Sequence, residues 1–116
     1  MTKPAVAVQP ADSLADLRER LRRFAAERDW EQFHTPKNLA MSVAIEAAEI
    51  MEHFQWLTPE QGAGLDPDAR RAVALEMADV LLYLVRLADV LDIDMAAAAR
   101  EKIDLNALKY PARRGL

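Results

Sequence analysis

The sequence contains no cysteine, which excludes disulfides, thiolate chemistry and cysteine-bound zinc. It also lacks an excess of basic residues. A net charge of −4 and a pI near 5.1 argue against a nucleic-acid backbone or an anionic membrane surface as partner. The longest apolar stretch, residues 80–91, is interrupted by Arg86 and Asp89 and is too short to span a bilayer. No apolar run follows Lys3, as a signal peptide would require, so we expect a cytoplasmic protein.

Hydrophobic residues make up 52% of the chain, which excludes disorder for most of its length. At 116 residues the chain has the size of one domain, and we expect residues 13–116 to form it. Residues 1–12 contain two prolines and no hydrophobic period, and we interpret them as a flexible leader. A chain of this length buries about 65% of its unfolded-state surface, so its core is small.

Four segments have apolar residues at helical spacing, and no segment shows the alternation of a strand. Thr35-Pro36 and Asp66-Pro67 each place a capping side chain before a proline in the first helical turn. Ser13 and Asp94 offer the caps of the other two helices. The predicted helices span about residues 14–28, 36–56, 67–91 and 95–108. We therefore predict an all-α four-helix bundle.

The third predicted helix is long for so small a chain. At about 1.5 Å per residue it extends roughly 37 Å, further than the core of one short chain can cover. Its length favours assembly with a second subunit, so we expect a homo-oligomer.

The second and third predicted helices each carry two carboxylates at a spacing of i, i+3. These pairs are Glu46 with Glu49 and Glu76 with Asp79. The spacing places both members of a pair on one helix face, one turn apart. Each pair borders the apolar stripe of its helix, and the two stripes should pack on each other. We therefore expect the four carboxylates to converge at the rim of the helix interface.

Four converging carboxylates repel one another, and a bound cation removes that repulsion. Oxygen-only ligands suit Mg²⁺ or Mn²⁺. A di-iron bundle would need Glu-x-x-His on two helices, and the third predicted helix contains no histidine. The remaining alternative is that the two acidic faces are solvated surface.

These residues resemble a known family. Glu46-x-x-Glu49 followed by Glu76-x-x-Asp79 resembles the metal motif of the all-α nucleoside triphosphate pyrophosphohydrolases, the MazG-like superfamily. The sequences RDWEQFHTPKN, FQW and KIDLNALKYP resemble its dCTP pyrophosphatase branch. The resemblance covers about residues 14–113.

The resemblance implies that the four acidic residues bind Mg²⁺ and that water attacks the α-phosphorus of a nucleoside triphosphate. The products are then a monophosphate and pyrophosphate, and Glu46 or Glu49 orients the attacking water. Members of this family assemble as dimers or dimers of dimers, with active sites built partly from neighbouring subunits.

The loop before the second predicted helix offers substrate-binding residues. Trp30 and His34 provide faces that stack on a base, and the Asn38 amide can read a base edge. Trp56 is either a pocket wall or a packing residue. Tyr83, one turn after Asp79, reaches the sugar or packs in the helix seam.

The last predicted helix carries Lys102 and Asn106 at a spacing of i, i+4, on one face. A lysine supplies a point charge for a phosphate, and an asparagine supplies amide hydrogen bonds. Together with Tyr110 they match the substrate-binding end of the family, so we expect phosphate contacts here.

We therefore expect a Mg²⁺-dependent pyrophosphohydrolase that prefers dCTP or modified cytosine nucleotides and clears unwanted nucleotides. One alternative is a phosphoribosyl-ATP pyrophosphohydrolase-like enzyme, against which Trp30 in the WEQFH loop argues. The other is a non-catalytic helical dimerisation module, which the intact set of four acids disfavours.

Overall fold

The computed structural model describes residues 13–113, and its regular structure is helical. The leader predicted at residues 1–12 and the end of the chain at 114–116 lie outside the described residues. The α-helices are α1 (Leu14–Glu27), α2 (Pro36–Phe54), α3 (Pro59–Ala63), α4 (Pro67–Val90) and α5 (Met95–Lys109). Between residues 13 and 113 no strand occurs, so the predicted all-α class is confirmed.

The four long helices begin at the predicted caps. The Thr35 side chain accepts a hydrogen bond from the Asn38 backbone N–H, at 3.2 Å. Asp66 caps α4 in the same way, and a proline follows the cap in both helices. Ser13 caps α1 and Asp94 caps α5. Each capping oxygen satisfies a backbone donor that the first helical turn leaves without a partner.

The break that we predicted between the second and third long helices contains a short helix, α3. Thr58 and Gln61 form a reciprocal capping box: the Thr58 hydroxyl accepts from the Gln61 backbone N–H at 3.2 Å, and the Gln61 side chain accepts from the Thr58 backbone N–H at 2.9 Å. Gly62 lies close to the end of α2, where an added Cβ would approach the Phe54 ring to 3.3 Å. The sequence analysis predicted no helix between residues 56 and 67, because Pro59, Gly62 and Gly64 are typical helix breakers, and it missed the capping box.

The C-terminus of α1 turns the chain toward the loop that carries Trp30. Asp29 has a positive φ of 55°, and the Trp30 backbone N–H donates to the Ala25 carbonyl at 2.9 Å. This pairing is a Schellman motif with aspartate in the left-handed position. The end of α4 repeats it, with Asp92 also at φ 55°. Between the end of α1 and the start of α2, the loop contains a single 3-10 turn, Glu31–Phe33.

The core lies where α2 and α1 pack against α4. Leu39 of α2 is 1% exposed and is the largest fully buried side chain among the described residues. The other buried apolar residues of the described chain are small or β-branched: Ala25, Val73, Val85 and Ala88. This core is thin, as expected for a short chain.

Helix α5 contributes little to the core of a single chain. All its residues from 97 to 109 are exposed. The radius of gyration is 18.3 Å, whereas a compact domain of this length has about 13 Å. Within one chain the packed bundle therefore consists of α1, α2 and α4. None of the helices between residues 13 and 113 combines the length and apolar composition needed to cross a bilayer.

Leu39→Ala should lower the free energy of unfolding by about 2–4 kcal/mol, because it leaves a cavity in a core with few other large side chains. The measurement is urea denaturation at one fixed protein concentration. Glu52→Ala, on an exposed position of the same helix, is the control and should change stability by less than about 0.5 kcal/mol. Equal effects of the two substitutions would contradict this account of the core.

Candidate metal centre and adjoining cavity

Helices α2 and α4 bring three of the four predicted acids into one cluster. Carboxylate oxygens of Glu46, Glu49 and Glu76 all lie within 4.8 Å of one another, and the three residues are half-buried. The spacing of i, i+3 on α2 places Glu46 and Glu49 on the face that packs against α4. Asp79 is exposed at the edge of this cluster, close enough for its charge to act on Glu46.

The carboxylates of the cluster destabilise one another's charged forms. Burial raises the pKa of Glu46, and the charges of Asp79 and Glu76 raise it further. The charge of Glu46 raises the pKa of Glu49, and the charge of Glu76 raises it further. The His53 Nε2 atom lies 3.8 Å from Glu76 Oε1, so an imidazole adjoins the cluster.

The chemistry of this cluster fits a divalent cation. Among the described residues, the Glu76 Oε2 atom is buried without a hydrogen-bond partner. A buried carboxylate oxygen without a partner is unfavourable, and a cation would satisfy it while neutralising the repulsion. The ligands offered are carboxylate oxygens, which hard divalent ions prefer.

A cavity of about 440 Å³ adjoins the cluster, between α1, the loop before α2, and α4. Four of the residues predicted from the sequence line it: Trp30, His34, Asp79 and Tyr83. The remaining lining residues, which sequence reasoning did not assign to the site, are Leu17, Arg20, Leu21, Phe24, Leu82 and Arg86. Asp79 therefore lies at the edge of the acidic cluster and also lines the cavity.

Aromatic rings form one wall of this cavity. The Trp30 ring meets Phe24 edge-on at 5.6 Å between centroids and meets His34 edge-on at 6.2 Å. The guanidinium of Arg28 lies 3.6 Å from the centroid of the Phe24 ring and forms a cation–π contact with it. The cavity thus combines flat apolar faces with a few polar groups, the usual composition of a small-molecule site.

Arg86 is the site residue that the sequence interpretation missed. We treated it only as a charge that interrupts an apolar run. It is buried, and its Nε donates to His34 Nδ1 at 3.0 Å. Burial lowers the pKa of His34, and the charge of Arg86 lowers it further. A usable signal was present, because Arg86 and Asp89 form an i, i+3 ion pair inside the otherwise apolar sequence stretch 80–91.

Five other predicted substrate residues lie outside the cavity of one chain. The Asn38 side chain donates to the Phe33 carbonyl at 3.0 Å and so holds the loop before α2. Trp56 is 86% exposed beyond the end of α2. Helix α5 and the residue after it expose the other three: Lys102, Asn106 and Tyr110. Their role in binding stays a prediction.

The chain belongs to the MazG-like family, whose model matches residues 41–115. It is 46% identical over 105 residues to human dCTP pyrophosphatase 1, covering 89% of this chain and 62% of the human protein. The rat dCTP pyrophosphatase 1 is 41% identical over 104 residues, with 61% of its length covered. The chain therefore spans less than two thirds of the length of these curated relatives.

A solved structure shares the fold. The crystal structure of a pyrophosphatase from Archaeoglobus fulgidus matches with a TM-score of 0.67 and 36% sequence identity. The match covers 95% of this chain and 100% of the archaeal chain. The family resemblance inferred from the acidic motif is thus confirmed.

Magnesium should raise the melting temperature of the wild type and leave that of Glu49→Gln nearly unchanged. A ligand that binds only the folded state stabilises it, by about 2.7 kcal/mol at a concentration 100 times Kd. Differential scanning fluorimetry with increasing Mg²⁺ measures this shift. Glu52→Gln, an exposed acid on the same helix, should respond like the wild type. An equal response in Glu49→Gln would show that the cluster does not bind the ion.

In metal-free buffer, the difference in stability between the wild type and Glu49→Gln should depend on pH. The pKa of Glu49 is raised above its ordinary 4.5, so folding favours its protonated form. This contribution is present below pH 4.5 and is lost as the pH rises through the folded-state value. Glu49→Gln removes it, so the melting temperature of the variant should rise progressively above that of the wild type as the pH increases from 4.5 through the folded-state pKa of Glu49. A pH-independent difference in metal-free buffer would contradict the repulsion described above.

Proposed function

We propose that this protein is a Mg²⁺-dependent nucleoside triphosphate pyrophosphohydrolase. The position of Asp79 carries this proposal. It lies beside Glu46 at the acidic cluster, and it also lines the aromatic-walled cavity. An acidic cluster next to an aromatic-walled cavity is an arrangement suited to a metal-bound nucleotide. Membership of the MazG-like family supports the same activity.

The reaction is the attack of water on the α-phosphorus, which breaks the bond between the α-phosphorus and the bridging oxygen and releases pyrophosphate. Bound Mg²⁺ supplies neutralisation of the triphosphate charge and acidification of a water molecule. Glu46, Glu49, Glu76 and Asp79 would hold the ion. Glu46 or Glu49 would also orient the attacking water. Such a reaction needs positioning and charge neutralisation more than covalent chemistry.

We propose dCTP or a modified cytosine nucleotide as the substrate, because relatives of this chain are dCTP pyrophosphatases. Trp30 and His34 contact the base, and Tyr83 approaches the sugar. Removal of unwanted nucleotides from the cytoplasmic pool is the corresponding cellular role.

We propose in addition that the chain works as a homo-oligomer, a dimer or a dimer of dimers. Helix α5 exposes Ile103 by 67% and Leu108 by 82%, and Tyr110 just beyond it is 67% exposed. Large apolar side chains grouped on one segment favour a protein partner. A second copy would cover them and bring Lys102 and Asn106 to a neighbouring site. Trp56 and Asn38 would contribute further substrate contacts at the edge of that site.

Pyrophosphate release should be detected from dCTP in the presence of Mg²⁺, in a panel that also contains the other nucleoside triphosphates and phosphoribosyl-ATP. Glu49→Gln and Asp79→Asn should each lower kcat at least about 100-fold, because each removes a charge that acts on the metal-bound triphosphate. Glu52→Gln is the matched control and should retain wild-type activity. No turnover of any nucleotide, or full activity of Glu49→Gln, would refute the proposed function.

Leu108→Arg should shift the protein to a smaller species in sedimentation velocity, because burying an arginine at an apolar contact is unfavourable. Glu101→Arg introduces the same side chain at another exposed position of α5, as a control for the effect of charge on that helix. A wild type that sediments as a monomer at all concentrations would contradict the proposed assembly.

A further inference from the structure

Arg86 occupies an unusual place for a charged residue. Of the charged residues between 13 and 113 it alone is buried, with 7% of its surface exposed, in the second half of α4. A buried guanidinium is unfavourable unless its donors are paired. The partners of Arg86 therefore indicate what the residue does.

One partner is a carboxylate that is itself held in place. Arg86 donates to Asp89 Oδ2 at 3.3 Å. Arg22 of α1 donates two hydrogen bonds to the same carboxylate, of 2.6 Å to Oδ1 and 2.8 Å to Oδ2. These bonds lower the pKa of Asp89, which stays ionised and holds the Arg86 guanidinium in place. The Arg22–Asp89 pair thereby couples α1 to the position of Arg86.

The other partner is His34, which lines the same cavity as Arg86. The Arg86 Nε–H donates to His34 Nδ1 at 3.0 Å. Arginine is always protonated and can only donate, so His34 Nδ1 must accept. In the neutral imidazole the hydrogen then resides on Nε2. Burial and the charge of Arg86 lower the pKa of His34, which favours this neutral ring.

We infer that Arg86 is a positioning residue that holds His34 as an Nε2–H donor for the group bound in the cavity beside Trp30 and Tyr83. The cavity then selects a ligand with a hydrogen-bond acceptor at that point, such as the carbonyl oxygen of a pyrimidine base. The nature of the ligand rests on the proposed function. The location of the hydrogen on the His34 ring does not.

Long-range proton–nitrogen NMR correlation on the full ¹⁵N-labelled chain tests the ring directly. The chain has two histidines, so His53→Gln assigns the signals. We expect the wild type to show His34 protonated on Nε2 and unprotonated on Nδ1. Arg86→Met should give nitrogen shifts averaged between the two tautomers. Arg22→Gln removes the outer ion pair but keeps the donor, and it should preserve the wild-type pattern.

Two NMR outcomes would overturn the inference. One is a wild type that carries the hydrogen on Nδ1. The other is a folded Arg86→Met variant with an unchanged His34 pattern. Should Arg86→Met fail to fold, the wild-type spectrum still decides the first of these.

Kinetics with dCTP and Mg²⁺ distinguish positioning from a general structural role. We expect Arg86→Met to raise KM about tenfold with little change in kcat, as for the loss of a contact made equally in the ground and transition states. In a His34→Ala background the same substitution should raise KM less than about twofold, because the two residues act as one unit. An equal rise in both backgrounds would show that Arg86 does not act through His34. If the wild type hydrolyses no nucleotide, the proposed function fails, and the NMR result alone decides the role of Arg86.

Discussion

The site depends on the packing of α2 against α4, because that contact holds carboxylates together against their own repulsion. Glu46 and Glu49 come from one helix and Glu76 from the other, and their oxygens lie within 4.8 Å of one another. Apolar burial around Leu39 stabilises this arrangement, and the raised pKa values of Glu46 and Glu49 record its electrostatic cost. Repulsion among these carboxylates therefore lowers the stability of the metal-free protein, and a bound cation would relieve it.

Arginine side chains lie on the cavity side of the acidic cluster, where Arg20 and Arg86 both line the cavity. Arg86 and Arg22 share the carboxylate of Asp89, which offsets part of their charge. Beyond the effect of burial, the charge of Arg86 still lowers the pKa of His34, so a positive charge acts in the cavity next to the acidic cluster. Asp79 lies between these two regions. The part of the cavity next to Asp79 adjoins the acidic cluster, and the rings of Trp30, Phe24 and His34 form its aromatic wall.

The helices were predictable because their signals are local. Capping side chains and prolines lie next to the positions that they affect, so Thr35, Asp66 and Asp94 located helix starts without knowledge of the fold. The same locality explains the grouping of the acids, since a spacing of i, i+3 fixes a shared face. The short helix α3 was missed because its capping box lies between residues that usually break helices.

The sequence by itself determined the positions of the four long helices, the helix faces that carry the acids and, through its motifs, the family. The tertiary structure decided which residues meet. Arg86 lies 52 positions from His34, and no local period links the two. Only the packing of the loop before α2 against α4 places them 3.0 Å apart. Conversely, Lys102 and Asn106 share a helix face, but α5 keeps them away from the cavity of their own chain. Contacts between distant segments depend on how the apolar faces stack, and that is a property of the whole fold.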